Sequence, residues 1–267
     1  MKAPVHILVT VRKPSLLPMA GLVFRTLRTG FPTAPVFVWG NGLDVTTAEK
    51  LAHWSAARGA TFTNLVPLHH DAWIEQLVLA ADAPLWICDA DMVFFDNCER
   101  WQGGPDDFMV GRHEPAWREP WTRTERVERL HTCLLWMNAP AMRAALHRWA
   151  LDRIKEGFPG EPQLPFNRQH IMPRLGREPL FYDSCAGAYQ ALGGRACTKE
   201  QNRCFAHLNC GTYAEHVAKC PELQDLPAMH AAVLANPGMA GELLERQEEF
   251  YRRHSPSRRS PCQEKGK

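Results

Sequence analysis

The sequence predicts a doubly wound α/β fold, a mainly parallel central sheet flanked by helices, on three observations. Short apolar runs rich in Val, Ile and Phe alternate with segments of helical period from Val5 to Phe95. Gly, Pro and Asn punctuate the joints between them. The fourth apolar run empties into two aspartates one residue apart, where a loop at the carboxyl end of a sheet strand would sit.

Val5 to Val11 reads as the first strand, and Leu16 to Thr29 carries apolar residues at helical spacing up to Gly30. "PVFVWGNG" from Pro35 repeats the pattern, and Thr46 to Arg58 follows as a helix capped by Asp44 or Thr46. Thr61 to Val66 is a third strand, leading to a helix over about Asp71 to Ala81. Leu85 to Cys88 is the fourth strand. Beyond Asp96 the rhythm changes. Phe108 to Arg112 and His131 to Asn138 read as strands separated by the polar insert "HEPAWREPWTRTERVER". Pro140 to Ile154 is an amphipathic helix with proline in its first turn. Residues 157 to 180 read as loop, Tyr182 to Leu192 as a helix closed by Gly193 and Gly194, and Asn236 to Tyr251 as the last helix.

A chain of 267 residues with 45% hydrophobic content buries a full core without staples. No linker divides it, so the expectation is one domain over residues 1–251. Arg252, Arg253, Arg258, Arg259, Lys265 and Lys267 make residues 252–267 a basic tail, expected to be disordered. Lys and Arg number 31 against 29 for Asp and Glu, so the whole surface gives no reason to expect a polyanionic partner. Val5 to Val11 is too short for a signal segment or a membrane span, and the expected location is cytoplasmic. Most of the nine cysteines sit in apolar segments as small core residues. Cys197, Cys204, Cys210 and Cys220, joined by His207, offer a zinc site as an alternative, although no C-x-x-C pair marks it.

The chemistry concentrates in "PLWICDADMVFFDN". Two like charges beside a buried strand cost several kcal/mol unless a cation offsets them, and Asp89 and Asp91 on one tight bend suit a hard divalent ion. In this setting the chain resembles the GT-A glycosyltransferases, nucleotide-sugar-dependent enzymes whose Rossmann-like half ends in "hhhhDxDhhh". The likeness runs over roughly residues 5 to 215, and it implies a nucleotide-binding half over about 1–100 and an acceptor-side half over about 101–251.

The resemblance implies Mn²⁺ or Mg²⁺ as cofactor and a nucleoside diphosphate sugar as donor. It gives Asp91 to the metal and Asp89 to the metal and the donor's ribose or sugar. The loop after the first strand, Thr10, Val11 and Arg12, would grip the nucleotide. Asn41 stands where the family usually has an acidic residue near the base, and would serve there with amide hydrogen bonds. His207, in "CFAHLNCGTY", matches a late histidine that completes the metal site. By its place before the helix that leads into the fourth strand, His70 could reach the diphosphate; the alternative is an exposed histidine beside Asp71 as helix cap. Asp183, in "FYDSCAGAYQALGG", falls where the family's acceptor-side helix carries its carboxylate; read locally, it is a helix N-cap. Arg112, Trp117 and Trp121, with Arg118 and Arg123, offer stacking and charge to an acceptor, sugar or nucleobase. His131 reads as a supporting residue.

The implied reaction moves a glycosyl group to a hydroxyl. Two rivals stand beside it. A sugar-phosphate nucleotidyltransferase would want a glycine-rich phosphate loop, which "TVRKPS" lacks, and a non-catalytic zinc or nucleic-acid-binding module would use the Cys/His cluster and the tail.

Overall fold

The structure, a computed structural model, describes residues 2–11, 17–119, 124–155, 169–208 and 226–254. Arg12, Trp121, Arg123, Cys210, Cys220 and the tail from residue 255 lie outside them.

Strands β1 (Val5–Val9), β2 (Val36–Asn41), β3 (Thr61–Leu65) and β4 (Leu85–Asp89) alternate with helices α1 (Leu17–Gly30), α2 (Val45–Ala56) and α3 (His70–Ala80). Both faces of the sheet centre are covered, and β1 and β4 accordingly read as near-continuous apolar runs, with Val5, Ile7, Val9, Leu85, Trp86 and Ile87 all buried. β3, at the sheet edge, alternates Thr and Asn with its apolar residues and is largely exposed. Asp44 caps α2, its carboxylate accepting from the Thr47 N–H at 3.0 Å.

Further along come β5 (Met92–Phe94), β6 (Met109–Glu114), β7 (Trp117–Arg118), β8 (Glu125–Arg126), β9 (Arg129–Met137), α4 (Ala139–Lys155), β10 (His170–Met172) and β11 (Leu180–Tyr182). α5 (Ala186–Leu192), β12 (Arg195–Ala196), α6 (Lys199–Asn202) and β13 (Phe205–His207) follow. The central sheet has seven strands in the order β12-β6-β9-β4-β1-β2-β3. β9 is antiparallel to both its neighbours, and the remaining pairs are parallel. The chain steps outward from β1 to β3, then returns across β1 to place β4 on its other side. That reversal opens a crevice beyond the carboxyl ends of β1 and β4, the usual ligand position in such sheets. Leu8 of β1 is in register with Asp89 of β4, so the Asp-x-Asp turn stands at the crevice.

β5 is held on the body of the protein by aromatic packing. The Phe31 ring meets Phe94 edge-on at 5.4 Å and Trp86 at 5.5 Å, and Trp86 in turn meets Trp101 at 4.9 Å. Burying a side chain of the size of Phe94 contributes about 1.5–3 kcal/mol, and it fixes the strand that begins one residue after Asp91.

Three expectations change. The stretch 157–180 is not all loop, since β10 pairs antiparallel with β11 in a four-stranded sheet ordered β10-β11-β8-β7. The helix expected from Tyr182 starts at Ala186 instead: Tyr182 ends β11, and Cys185 takes a left-handed φ of 65°, uncommon outside glycine, that turns strand into helix. At the C-terminus, the helix Leu226–Ala235 precedes a 3₁₀ turn, Pro237–Met239, and a final helix, Ala240–His254. Arg252 and Arg253, read as tail, belong to that helix and pair with Glu249. Among the described residues no helix is long and apolar enough to cross a membrane.

Candidate metal and donor site

Asp89 closes β4, and Asp91 lies in the turn to β5. Their side chains are 23% and 18% exposed, enough to reach solvent in the crevice. Opposite them is His207. β13 adds antiparallel to β5, setting His207 across from Met92, and the Leu208 N–H donates to the Asp91 carbonyl at 2.9 Å. His207 Nε2 is thereby 3.1 Å from Asp91 Oδ1 and 3.5 Å from Asp89 Oδ2. One ligand atom from each of the three residues lies within 4.8 Å of the other two. Burial pulls the His207 imidazole down in pKa, but the Asp91 and Asp89 carboxylates outweigh it and hold it above its ordinary value. Two carboxylates and an imidazole, all hard or borderline donors with the two carboxylates partly exposed, fit a divalent ion such as Mn²⁺ or Mg²⁺.

His70 begins α3 and flanks the turn from the other side. Its Nε2 faces Asp89 Oδ1 at 3.4 Å without making a hydrogen bond, and its ring stacks on Trp73. Its pKa is also raised, with Asp89 prevailing over burial. Thr10 and Val11 leave β1 at the same edge of the sheet. Asn41 is committed to the fold: Nδ2 donates to Thr10 Oγ1 at 3.1 Å and to the Leu68 carbonyl at 2.9 Å, while Oδ1 accepts from the Leu68 N–H at 2.9 Å. Both amide donors expected for a base are used in tying three loops together.

Asp183 is the farthest from its local reading. It caps no helix; the carboxylate is clamped by Arg126 Nη1 at 2.6 Å and Arg129 Nη2 at 2.9 Å, and accepts from Gln169 Nε2 at 2.6 Å and the Ser184 N–H at 2.8 Å. Burial alone would raise its pKa, but the two guanidinium groups hold it below the usual carboxylate range. Arg129 also donates to Glu114 at 2.7 Å and Arg126 to Glu119 at 2.6 Å, making a buried network of three carboxylates and two arginines. A thread leads from it to the Asp-x-Asp turn, for Ser184 Oγ is 3.5 Å from His70 Nδ1.

Of the residues expected to meet an acceptor, Trp117 is 3% exposed, donates its indole N–H to Glu114 at 2.9 Å and lies under the Arg126 guanidinium. Its ring is a packing surface of the protein, which corrects the stacking role read from the sequence. Arg112 is half-buried in β6, and its charge reaches His207 and His131. Cys197 and Cys204 are buried free thiols in the core, and among the described residues neither belongs to a metal-ligating group. His207, which the zinc reading joined to them, faces the aspartates instead.

Arg126, Arg129, Glu114 and Gln169 were not singled out from the sequence. The signal for two of them, Glu114 and Arg129, is present in charged residues at the ends of the apolar runs "MVGRHE" and "RLHTCLLWM".

No family model matches the chain, and no curated protein matches it. Among solved structures it resembles the apo form of the glycosyltransferase GlyE from Streptococcus pneumoniae TIGR4, at 6% identity over 75% of this chain and 46% of that one, TM-score 0.42. It also resembles the mannosyltransferase PcManGT from Pyrobaculum calidifontis, solved with GDP-Man and Mn²⁺, at 15% identity over 74% of this chain and 55% of that one, TM-score 0.42. A cytidylyltransferase from Leptospira borgpetersenii serovar Hardjo-bovis aligns at 11% identity over 64% and 68%, TM-score 0.38. The chain spans about half the length of the first two. Two of these three are glycosyltransferases, the class the Asp-x-Asp motif resembles, and the third is a nucleotidyltransferase. The chemistry of the site rests on its three converging side chains, Asp89, Asp91 and His207.

Proposed function

We propose that the protein is a metal-dependent glycosyltransferase that moves a sugar from a nucleoside diphosphate sugar to a hydroxyl acceptor. The observation that carries this reading is the convergence of Asp89, Asp91 and His207 at the switch point between β1 and β4. In this reading the three residues hold Mn²⁺ or Mg²⁺, which when bound offsets the negative charge growing on the departing diphosphate. Thr10 and Val11 line the nucleotide side of the crevice, and Arg12 follows them in sequence. Asn41 orders that edge through its bonds to Thr10 and Leu68 rather than by donating to a base. His70, its Nε2 aimed at Asp89 without a hydrogen bond, supplies a cationic donor to a phosphate oxygen while it is protonated.

For Asp183, four donors on an ionised carboxylate argue against proton abstraction from the acceptor, because its proton affinity is low. With its charge offset by Arg126 and Arg129, its role in this reading is to fix the turn that brings Ser184 up to His70. Arg112 remains the acceptor-side contact, and the acceptor class, glycan or nucleobase, is left to experiment.

The test is Asp91→Asn, assayed for donor hydrolysis and for sugar transfer with added Mn²⁺ or Mg²⁺. Both activities are expected to fall at least about 100-fold, as one transition-state charge partner is removed, with the unfolding midpoint little changed. Undiminished transfer by the variant, or transfer by the wild type in the presence of a chelator, refutes the proposal.

A further inference from the structure

We propose that His131, Cys133 and His207 form a second metal site, selective for a thiophilic divalent ion such as Zn²⁺ or Co²⁺, and that by sharing His207 it antagonises the hard-ion site on Asp89 and Asp91. The antagonism rests on the reading of that hard-ion site; the sulfur site itself does not.

His131 and Cys133 are two residues apart on β9 and so project to the same face. β6 changes register between Gly111 and His113 opposite this stretch, and β4 pairs with β9 only as far as Cys88 with Leu134. Such irregularities re-aim side chains. Here they turn the pair toward β13, where the His131 and His207 rings meet edge-on at 4.9 Å. A nitrogen from each histidine and the Cys133 sulfur all lie within 4.8 Å of one another. Cys133 is fully buried, His207 is 7% exposed, and the His131 side chain is 13% exposed.

The donor types separate the two sites. One thiolate and two imidazoles suit Zn²⁺ or Co²⁺ and hold a tetrahedral ion with one position open, whereas two carboxylates and an imidazole suit Mn²⁺ or Mg²⁺. Binding at the sulfur site replaces the S–H bond of Cys133 by a metal–sulfur bond, the proton leaving to buffer. It also asks His131 Nδ1 to give up the hydrogen bond it accepts from the Cys133 N–H at 3.0 Å. His207 has one neutral imidazole to give, and two dications bridged by it would repel each other at short range, so filling either site weakens the other.

The probe is Co²⁺, whose bond to a thiolate gives a near-ultraviolet charge-transfer band. Titration of the full chain should develop this band to one equivalent. Mn²⁺ held at a hundred times its own Kd should weaken the apparent Co²⁺ affinity by about 100-fold. Cys133→Ser, or Cys133→Ala where the buried hydroxyl disturbs the fold, should lose the band yet still bind Mn²⁺ by electron paramagnetic resonance. Asp91→Asn should do the reverse. A band that never forms, or that survives in both Cys133 variants, overturns the sulfur site. A band indifferent to bound Mn²⁺ overturns the shared ligand. Failure of the wild type to bind Mn²⁺ while the band forms removes the hard-ion reading, and the antagonism with it, but leaves the sulfur site standing.

Discussion

Replacing Arg129 by Met tests the buried charge network behind the crevice. Arg129 is 5% exposed at its side chain, donates from Nε to Glu114 at 2.7 Å and from Nη1 to the Ser184 carbonyl at 3.0 Å, and faces Asp183 at 2.9 Å. At these separations and an effective dielectric of 20, each carboxylate gains about 6 kcal/mol of attraction, offset by the several kcal/mol each ion lost on leaving water. Met keeps the apolar stem but removes one of the two guanidinium groups that offset Glu114, Glu119 and Asp183. Removing one partner of a buried pair costs about 3–5 kcal/mol, a large part of the 5–15 kcal/mol that holds an ordinary domain together. The assay is urea unfolding from pH 5 to 8, read as a lowered midpoint at unchanged slope.

The pH dependence carries a definite sign. In the wild type burial raises the Glu114 and Asp183 pKa values, but Arg129 and Arg126 more than reverse this, and both carboxylates sit below their ordinary range. Their contribution is complete above ordinary carboxylate pKa values of about 4 and is lost as pH falls further. Without Arg129 burial prevails at Glu114, whose folded pKa then rises above the unfolded value, so the folded variant takes up a proton as pH falls. The gap between the two proteins should therefore be widest near pH 8 and narrow toward pH 5. A destabilisation below about 1 kcal/mol, or a gap that widens on acidification, refutes the view that Arg129 neutralises buried charge.

Two further outcomes are expected. Glu99 accepts from the Thr33 and Ala34 N–H groups at 2.6 and 2.7 Å and pairs with Lys2; burial opposes ionisation, yet these partners hold its pKa at about 2. Its stabilisation is present above the ordinary value of 4.5 and lost as pH falls toward about 2, so Glu99→Gln should cost about 1–3 kcal/mol at neutral pH and close on the wild type in acid, by chemical denaturation. Gly30→Ala would set a Cβ 2.5 Å from Phe94 Cγ inside a packed aromatic cluster, and should cost about 1–3 kcal/mol while weakening Mn²⁺ binding by displacing the strand that follows Asp91. Equal Mn²⁺ affinity in wild type and variant argues that β5 does not set the position of Asp91.

The sequence by itself determined the alternation of β1 to β4 with α1 to α3 and the arrival of Asp89 and Asp91 at a strand's carboxyl end. Both are local: hydrophobic period, turn residues and like charges beside an apolar run are written within a dozen neighbours. Only the tertiary structure decided which distant residues answer those charges. His207 lies beside Asp91 through the pairing of β13 with β5, and nothing near position 207 specifies that strand contact. Asp183 read as a helix cap because its local neighbourhood looks like one; Arg126 and Arg129, which hold it ionised, come from β8 and β9. Trp117 and Cys204 carry no sign in the sequence of which way they face, whereas packing turns both inward. Periodicity records which faces a chain must bury, but the identity of the partner depends on long-range pairing between segments that the sequence keeps far apart.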